Sequence, residues 1–168
     1  IIHNGSALFS GAAGSGESEI RRYIIENDWL DAIIQLPNDV FYNTGISTYV
    51  WIIDKDKKPY RQGRVQLIDA SNMYENRRKN IGSKRVDITE ECRNVLVQAY
   101  GEFQNKAYTL GERTAESKVF DNLDFGFNKV TIESPLKDEE GNLVLKNKKV
   151  QPNASLRDTE DIPLTEDI

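Results

Sequence analysis

Two short apolar runs, separated by a turn-rich stretch, constrain this chain more than any other feature. Ala32, Ile33, Ile34 and Leu36 form the first, and Tyr49-Val50-Trp51-Ile52-Ile53 the second. Both are rich in β-branched and aromatic residues and neither alternates with polar ones, the pattern of strands buried on both faces of an α/β sheet. Between them lies PNDVFYNTGIST, where Pro37, Asn38, Asn43 and Gly45 are turn formers. A link this short allows the two strands to be antiparallel neighbours. Phe41 and Tyr42 form an aromatic pair within it, and solvating two aromatics on a loop is unfavourable unless they pack on the protein or on a ligand such as a nucleobase.

The flanking chain supplies the rest of a sheet and its cover. Ile1-Ile2-His3 reads as the end of a buried strand, and a helical crossover would connect it to the Ile33 strand. The loop SALFSGAAGSGES has neither the GxGxxG spacing nor the Lys-Ser/Thr of a phosphate cradle, so a mobile loop near a substrate is the better reading. Ser15 or Ser18 caps a helix to about Asn27 that places Ile20, Tyr23 and Ile24 on one, sheet-covering face. RVQLID is a strand with Val65 and Leu67 alternating against Gln66. Thr89 caps a second helix with a stripe of Cys92, Val95, Leu96, Ala99 and Phe103. Farther on, a strand with an aromatic entry ends at Pro135, a hairpin turns at Gly141-Asn142, and the acidic, Pro-interrupted tail shows no period and either lies along a partner or another part of the parent chain or is disordered.

Charge separates the front of the chain from its tail. The 168 residues carry a net charge of −5, yet residues 1–115 balance at 15 acidic and 15 basic, while 116–168 hold 12 acidic against 7 basic. A nucleic-acid surface therefore belongs in the front part. The run around Gly82, with Arg77, Arg78, Lys79, Lys84 and Arg85, reads either as a solvated loop or as a set of phosphate contacts that position DNA without specifying sequence. No apolar run approaches the roughly 20 residues of a membrane span, and one cysteine, Cys92, forms no internal disulfide, so a cytoplasmic setting is expected. The start at Ile1 reads as the interior of a longer protein.

The ordered segments IIHNGSALFSGAAGSGESEIRRYIIENDWLDAI, LPNDVFYNTGISTYVWIIDK, RVQLIDAS, KVFDNLDFGFNKVTIESPL and SLRDTEDIPLTEDI resemble the modification subunit of bacterial type I restriction-modification systems. The resemblance implies a DNA adenine N6-methyltransferase that uses S-adenosylmethionine. It works in complex with a specificity subunit, a second modification subunit and, for cleavage, a restriction subunit. The implied fold is α/β: the C-terminal part of a Rossmann-like class I methyltransferase sheet, parallel strands plus one antiparallel, followed by an α+β C-terminal extension. Its divisions would be 1–70 (second half of the catalytic domain), 71–115 (basic loop and helix) and 116–168 (acidic extension with hairpin and partner-contacting tail). In that family an aromatic in the loop before the antiparallel strand stacks on the extruded adenine. Phe41 matches that place, with Tyr42 next in line and Asn43, Thr44 and Gly45 shaping the loop. Against this stands a purely structural role, Phe41 capping the core where the Ile33 strand ends. The family's Asn-Pro-Pro motif and cofactor turn are absent, so no catalytic residue is assigned here and this piece is expected to be inactive alone.

Other chemistry is poorly supported. His3 and Cys92 are the only residues of their kinds and far apart in sequence, a weak basis for a nucleophile pair. Asp138-Glu139-Glu140 is contiguous and lacks calcium-loop spacing, so no metal is expected. Two rival readings remain: a non-catalytic α/β binding or assembly module, and a small-molecule methyltransferase. The second would not account for the basic run from Arg77 to Arg85.

Overall fold

The computed structural model describes residues 1–165, and the chain divides into two compact units, Ile1–Asn122 and Leu123–Ile168. The first unit runs β1 (Ile2–Asn4), α1 (Ser6–Phe9), α2 (Gly16–Glu26), β2 (Leu30–Gln35), β3 (Thr48–Ile53), β4 (Arg64–Asp69), β5 (Glu75–Ile81), β6 (Lys84–Asp87), α3 (Glu90–Glu102), β7 (Lys106–Leu110) and β8 (Arg113–Asp121). Its main sheet has the order β1-β3-β2-β4-β8-β7. β2 and β4 run parallel, and the other neighbours are antiparallel. This is the mixed α/β sheet that the apolar runs imply. It continues well past residue 70, because β7 and β8 add to the edge beside β4.

The two opening runs become β2 and β3, paired antiparallel with Ile33 opposite Trp51 and Ile34 opposite Val50. Leu30, Ala32 and Trp51 are buried, while the β-branched residues between them are half-buried. α3 follows its sequence pattern closely. Thr89 accepts a hydrogen bond from the Cys92 amide at 3.4 Å, satisfying one of the helix's unpaired first-turn donors. Cys92, Leu96 and Ala99 then pack with Ile68, Ala70, Met73, Tyr108 and Ala115 from the sheet and its loops. Ile68 and Met73 are fully buried, each contributing about 1.5–3 kcal/mol of transfer free energy.

Several expectations are corrected. β1 is an exposed edge rather than the end of a buried strand: it pairs with β3 alone, and Ile1 and Ile2 are 68% and 55% exposed. α2 spans the expected residues but buries none of them, with Ile20 and Tyr23 on the surface. Gln66 does not face solvent opposite Val65; it is wholly buried. The charged run after Met73 is a β-hairpin, β5 with β6, turning at Gly82 with φ +59°.

Gln66 is buried because it completes a polar network that spans the unit. Arg61, in a short 3₁₀ turn before β4, donates to Asp31 of β2 at 2.7 Å, to the Tyr100 carbonyl at 3.0 Å and to the Gln66 side-chain oxygen at 3.2 Å. The Gln66 amide donates in turn to the Ala99 carbonyl at 2.7 Å and the Ser117 hydroxyl at 2.8 Å. The Tyr100 hydroxyl closes the ring by donating to Asp31 at 2.5 Å. The guanidinium also lies 4.0 Å from the Phe103 ring centre, a cation–π contact strengthened by burial. A second cluster joins the start of β2 to the β3–β4 connection: buried Lys57 pairs with Asp28 at 2.7 Å, and Asp28 also accepts from the Gly63 amide and the Asn122 side chain.

Burial, and then the hydrogen bond to Asp31, push the Tyr100 hydroxyl up to about 12 from its ordinary 10. Burial and the bond to Glu102 do the same for Tyr108, to about 12. Both phenols hold their protons more tightly folded than unfolded, so this contribution is complete below pH 10 and is lost as pH rises toward 12. The melting temperature is expected to fall across that window. In Tyr100→Phe, which has one such phenol fewer, the fall should be shallower; an unchanged slope would count against the assignment.

The second unit consists of β9 (Phe127–Ile132), β10 (Leu145–Lys146), β11 (Lys149–Val150) and β12 (Asp158–Pro163). β9 pairs with β12 over six residue pairs, from Phe127–Pro163 to Ile132–Asp158. The expected aperiodic tail therefore holds a short 3₁₀ turn, Ala154–Leu156, and a strand, Asp158–Pro163, and its residues 166–168 lie outside the described residues. The hairpin expected at Gly141-Asn142 is present as a tight turn, with Lys137 bridged antiparallel to Leu143 and the Gly141 amide donating to the Asp138 carbonyl, and a second turn follows it. The first is opened by Asp138, whose carboxylate accepts from the Glu140 and Asn142 amides, and the second is at Asn147-Lys148, two residues that are both left-handed. Among the described residues of this unit none is buried. Isolated two-stranded ribbons without a core are marginal in water.

Candidate nucleic-acid interface

In an open α/β sheet, ligands bind where loops leave the carboxyl ends of parallel strands. Here those strands are β2, ending at Gln35, and β4, ending at Asp69. The loop from β2 to β3 is shaped by local chemistry. Asp39 is left-handed at φ +58°, a conformation Asp tolerates better than most residues. The Ser47 hydroxyl donates to the Asn38 side-chain oxygen at 2.6 Å. Phe41 bridges to Thr44, making a four-residue turn with Tyr42 and Asn43 at its tip. Gly45 stands against Asp39: a Cβ there would lie 2.6 Å from the Asp39 carboxylate. Phe41 is half-buried, whereas Tyr42 is 67% exposed and makes the aromatic tip of the loop.

The basic hairpin docks directly on this loop. The Ser83 amide donates to the Tyr42 carbonyl at 2.9 Å, and the Arg85 amide donates to the Asp39 carbonyl at 3.0 Å. Gly82 permits the approach, since a Cβ at that position would lie 2.3 Å from the Tyr42 carbonyl oxygen. Two stretches that the sequence suggests separately, the aromatic loop and the basic run, thus form one surface.

The five basic residues do not share one environment. Arg77 and Lys84 both pair with Asp87, Lys84 at 2.9 Å, and Arg77 also donates to the Lys79 carbonyl. Hydrogen bonding to Lys84, reinforced by the positive charge of Arg77, holds the Asp87 carboxyl below its usual range. Arg78, Lys79 and Arg85 are exposed and make no ion pair among the described residues. Asp87 does not stand out in the sequence. Its spacing from Lys84 is local, but its meeting with Arg77 depends on the pairing of β5 with β6.

Between the loop and the hairpin lies an open cavity of about 350 Å³, lined by Gln35, Asn38, Asp39, Ser47 and Arg85 among others. Among the described residues no three His, Cys, Asp or Glu side chains are placed to hold a metal ion. The residues present do not fit S-adenosylmethionine either. The glycine-rich turn before α2 follows a helix rather than a strand, and a Cβ at Gly11 would lie 2.4 Å from the Ser15 hydroxyl and 2.9 Å from Glu17, so the chain itself fills that space.

Comparison with known proteins bears on the family and the fold. The N-6 DNA methylase family matches residues 1–147. The methylase subunit of the type I restriction enzyme MjaIX of Methanocaldococcus jannaschii is 38% identical over 118 residues, 64% of this chain and 20% of the relative. The HindI methylase subunit of Haemophilus influenzae is 36% identical over 70 residues, 42% of this chain and 15% of that protein. The crystal structure of a type I restriction-modification methyltransferase subunit from Streptococcus thermophilus superposes with a TM-score of 0.57 over 73% of this chain and 22% of that one, at 23% identity. That likeness supports the fold. The chain spans about a fifth of the length of the MjaIX relative. With a mixed sheet of the methyltransferase kind and a family match over most of its length, the chain belongs to the N-6 DNA methylase family.

Proposed function

We propose that this chain is part of the modification subunit of a type I restriction-modification system, a cytoplasmic enzyme that transfers a methyl group from S-adenosylmethionine to adenine N6 in DNA. The observation that carries this reading, beside the family, is the docking of the basic hairpin on the aromatic loop at the carboxyl ends of β2 and β4. In this reading the adenine leaves the duplex, because its amino group is unreachable in the stack. Phe41 and Tyr42 form one wall of the pocket that receives it, with Asn43, Thr44 and Gly45 holding their turn. Arg78, Lys79 and Arg85 contact flanking phosphates, and Arg77 and Lys84, braced on Asp87, stiffen the hairpin and add positive potential. The cofactor and the groups that orient the amino nitrogen lie elsewhere in the whole protein, so the isolated chain is inactive. Its partners are a specificity subunit, a second modification subunit and a restriction subunit.

The test is labelled methyl transfer to duplex DNA by the full-length subunit co-purified with its specificity subunit. Phe41→Ala is expected to reduce transfer on the order of tenfold to a hundredfold, since stacking on one base contributes about 1–3 kcal/mol. Cofactor binding should be preserved. Equal transfer by mutant and wild type would return Phe41 to a packing role. A folded wild type that neither transfers methyl groups nor binds the cofactor would favour the assembly module.

A further inference from the structure

Beyond the loop and hairpin, the first unit holds a feature that neither the family nor the aromatic site accounts for. A second open cavity, of about 530 Å³, adjoins the first and ends at the β7–β8 turn, where Glu112, Arg113 and Thr114 line it. Asn72, Tyr74 and Asn76 line both cavities. The two therefore form one groove that starts beside Asn38 in the aromatic loop, runs past half-buried Tyr74 and leaves at the β7–β8 turn.

The lining of the groove carries no net charge, with Asp39 and Glu112 set against Arg85 and Arg113, and is rich in neutral donors. Gln35, Asn38, Asn72 and Asn76 offer amides, Ser47 and Ser71 hydroxyls, and Tyr74 a ring with a hydroxyl. The two arginines sit in different situations. Arg113 is engaged with Glu75 at 3.0 Å and with Cys92, whereas Arg85 makes no ion pair among the described residues. Amides, hydroxyls and charged groups that outnumber the two apolar side chains, Val86 and Leu110, make a poor pocket for an apolar ligand. They match the groups that grip the sugar–phosphate backbone of DNA, where side-chain amides and hydroxyls donate to phosphate oxygens. A tyrosine ring beside them offers a flat face for a deoxyribose.

We propose that this groove is the track for the backbone of the strand from which the target base is extruded. Asn72, Asn76 and Tyr74 hold the phosphates and sugar next to the target nucleotide. The proposal rests on the functional reading above, and it adds a neutral grip to the cationic one on the hairpin. The physical distinction is testable. Contacts from neutral groups release no extra counterions, so their loss weakens binding equally at every salt concentration. Loss of a cation makes the dependence of log K on log salt shallower by about 0.9.

The experiment measures DNA binding at several salt concentrations, and methyl transfer, with the full-length subunit in complex with its specificity subunit. Asn72→Ala combined with Asn76→Ala is expected to raise Kd and the KM for DNA about tenfold for each hydrogen bond lost. The salt slope, cofactor binding and kcat should not change. Tyr74→Phe, which keeps the ring, should lose less affinity than Tyr74→Ala. Arg85→Gln should flatten the slope. Asn72→Asp with Asn76→Asp places two negative charges in the track and should weaken binding well beyond the alanine pair. Both asparagines are exposed, and matched melting temperatures verify that the variants fold.

Wild-type Kd and KM in both the alanine and the aspartate pairs would overturn the groove while leaving the methyltransferase reading intact. Loss of subunit assembly with normal DNA affinity would also overturn it, identifying the groove as a seat for protein. A wild type that neither binds nor methylates DNA would instead overturn the functional reading, and the groove with it.

Discussion

Arg61→Ala is expected to lower the stability of the first unit by about 3–5 kcal/mol, the range for removing one partner of a buried ion pair. Arg61 and Asp31 are 5% and 1% exposed. The mutation strips Asp31 of its countercharge and leaves the Gln66 oxygen and the Tyr100 carbonyl without this donor. It also removes a cation held against two aromatic rings, Tyr100 and Phe103. Globular domains are stable by only about 5–15 kcal/mol, so the loss is a large fraction of the whole. Urea unfolding followed by tryptophan fluorescence would report it through Trp29 and Trp51. Asp31→Asn with Arg61→Met should recover part of the loss, because a neutral pair no longer carries an unpaired buried charge. A midpoint for Arg61→Ala within error of wild type would refute the network's role.

Gly82→Val should leave the sheet folded and yet reduce methyl transfer by the whole protein on the order of a hundredfold, the scale of a misplacement of about 1 Å at a reacting geometry. The residue is left-handed, which alone costs a β-branched side chain about 1–2 kcal/mol. The larger effect is steric. The obstacle is the Tyr42 backbone carbonyl, 2.3 Å from the position a Cβ would take, so hairpin and loop must separate. The bond from the Ser83 amide to the Tyr42 carbonyl is then lost, and the aromatic tip is freed from its support. Gly63→Ala is the matched control: it is also left-handed, at φ +70°, but its Cβ would meet nothing within 4 Å. It should cost stability without affecting transfer. Equal activity in the two variants would show that the hairpin does not hold the loop.

The elements legible in the sequence are those whose determinants lie close together in the chain. β2 and β3 announce themselves by contiguous β-branched residues, and α3 by Thr89 and the spacing of Cys92, Leu96 and Ala99. The hairpin β5–β6 does not, because ENRRKNI has no apolar alternation; its pairing is backbone to backbone, and its charges meet at Asp87 across the turn. Gln66 looked exposed for a related reason: burying it is tolerable only because Arg61, Ala99 and Ser117 converge on it from three other places in the chain. Of the candidate site, the aromatic loop was visible in its own residues. Its union with the basic run was not, since that depends on contacts between residues some forty positions apart, such as Tyr42 with Ser83.

The strand order has a consequence for how the protein is made. β3 lies between β1 and β2, although both precede it in the chain. As the polypeptide leaves the ribosome, the two earlier strands must remain apart until a third, synthesised later, slots in between them. Pairings between distant segments are slow to form, since the loops they close must first be ordered. The turn bearing Phe41 and Tyr42 is the tether that leads β3 into the gap, so it takes its final shape in the step that joins the edge strand β1 to β2. A nascent chain stalled before Ile53 would thus lack both a settled aromatic turn and the link between β1 and β2.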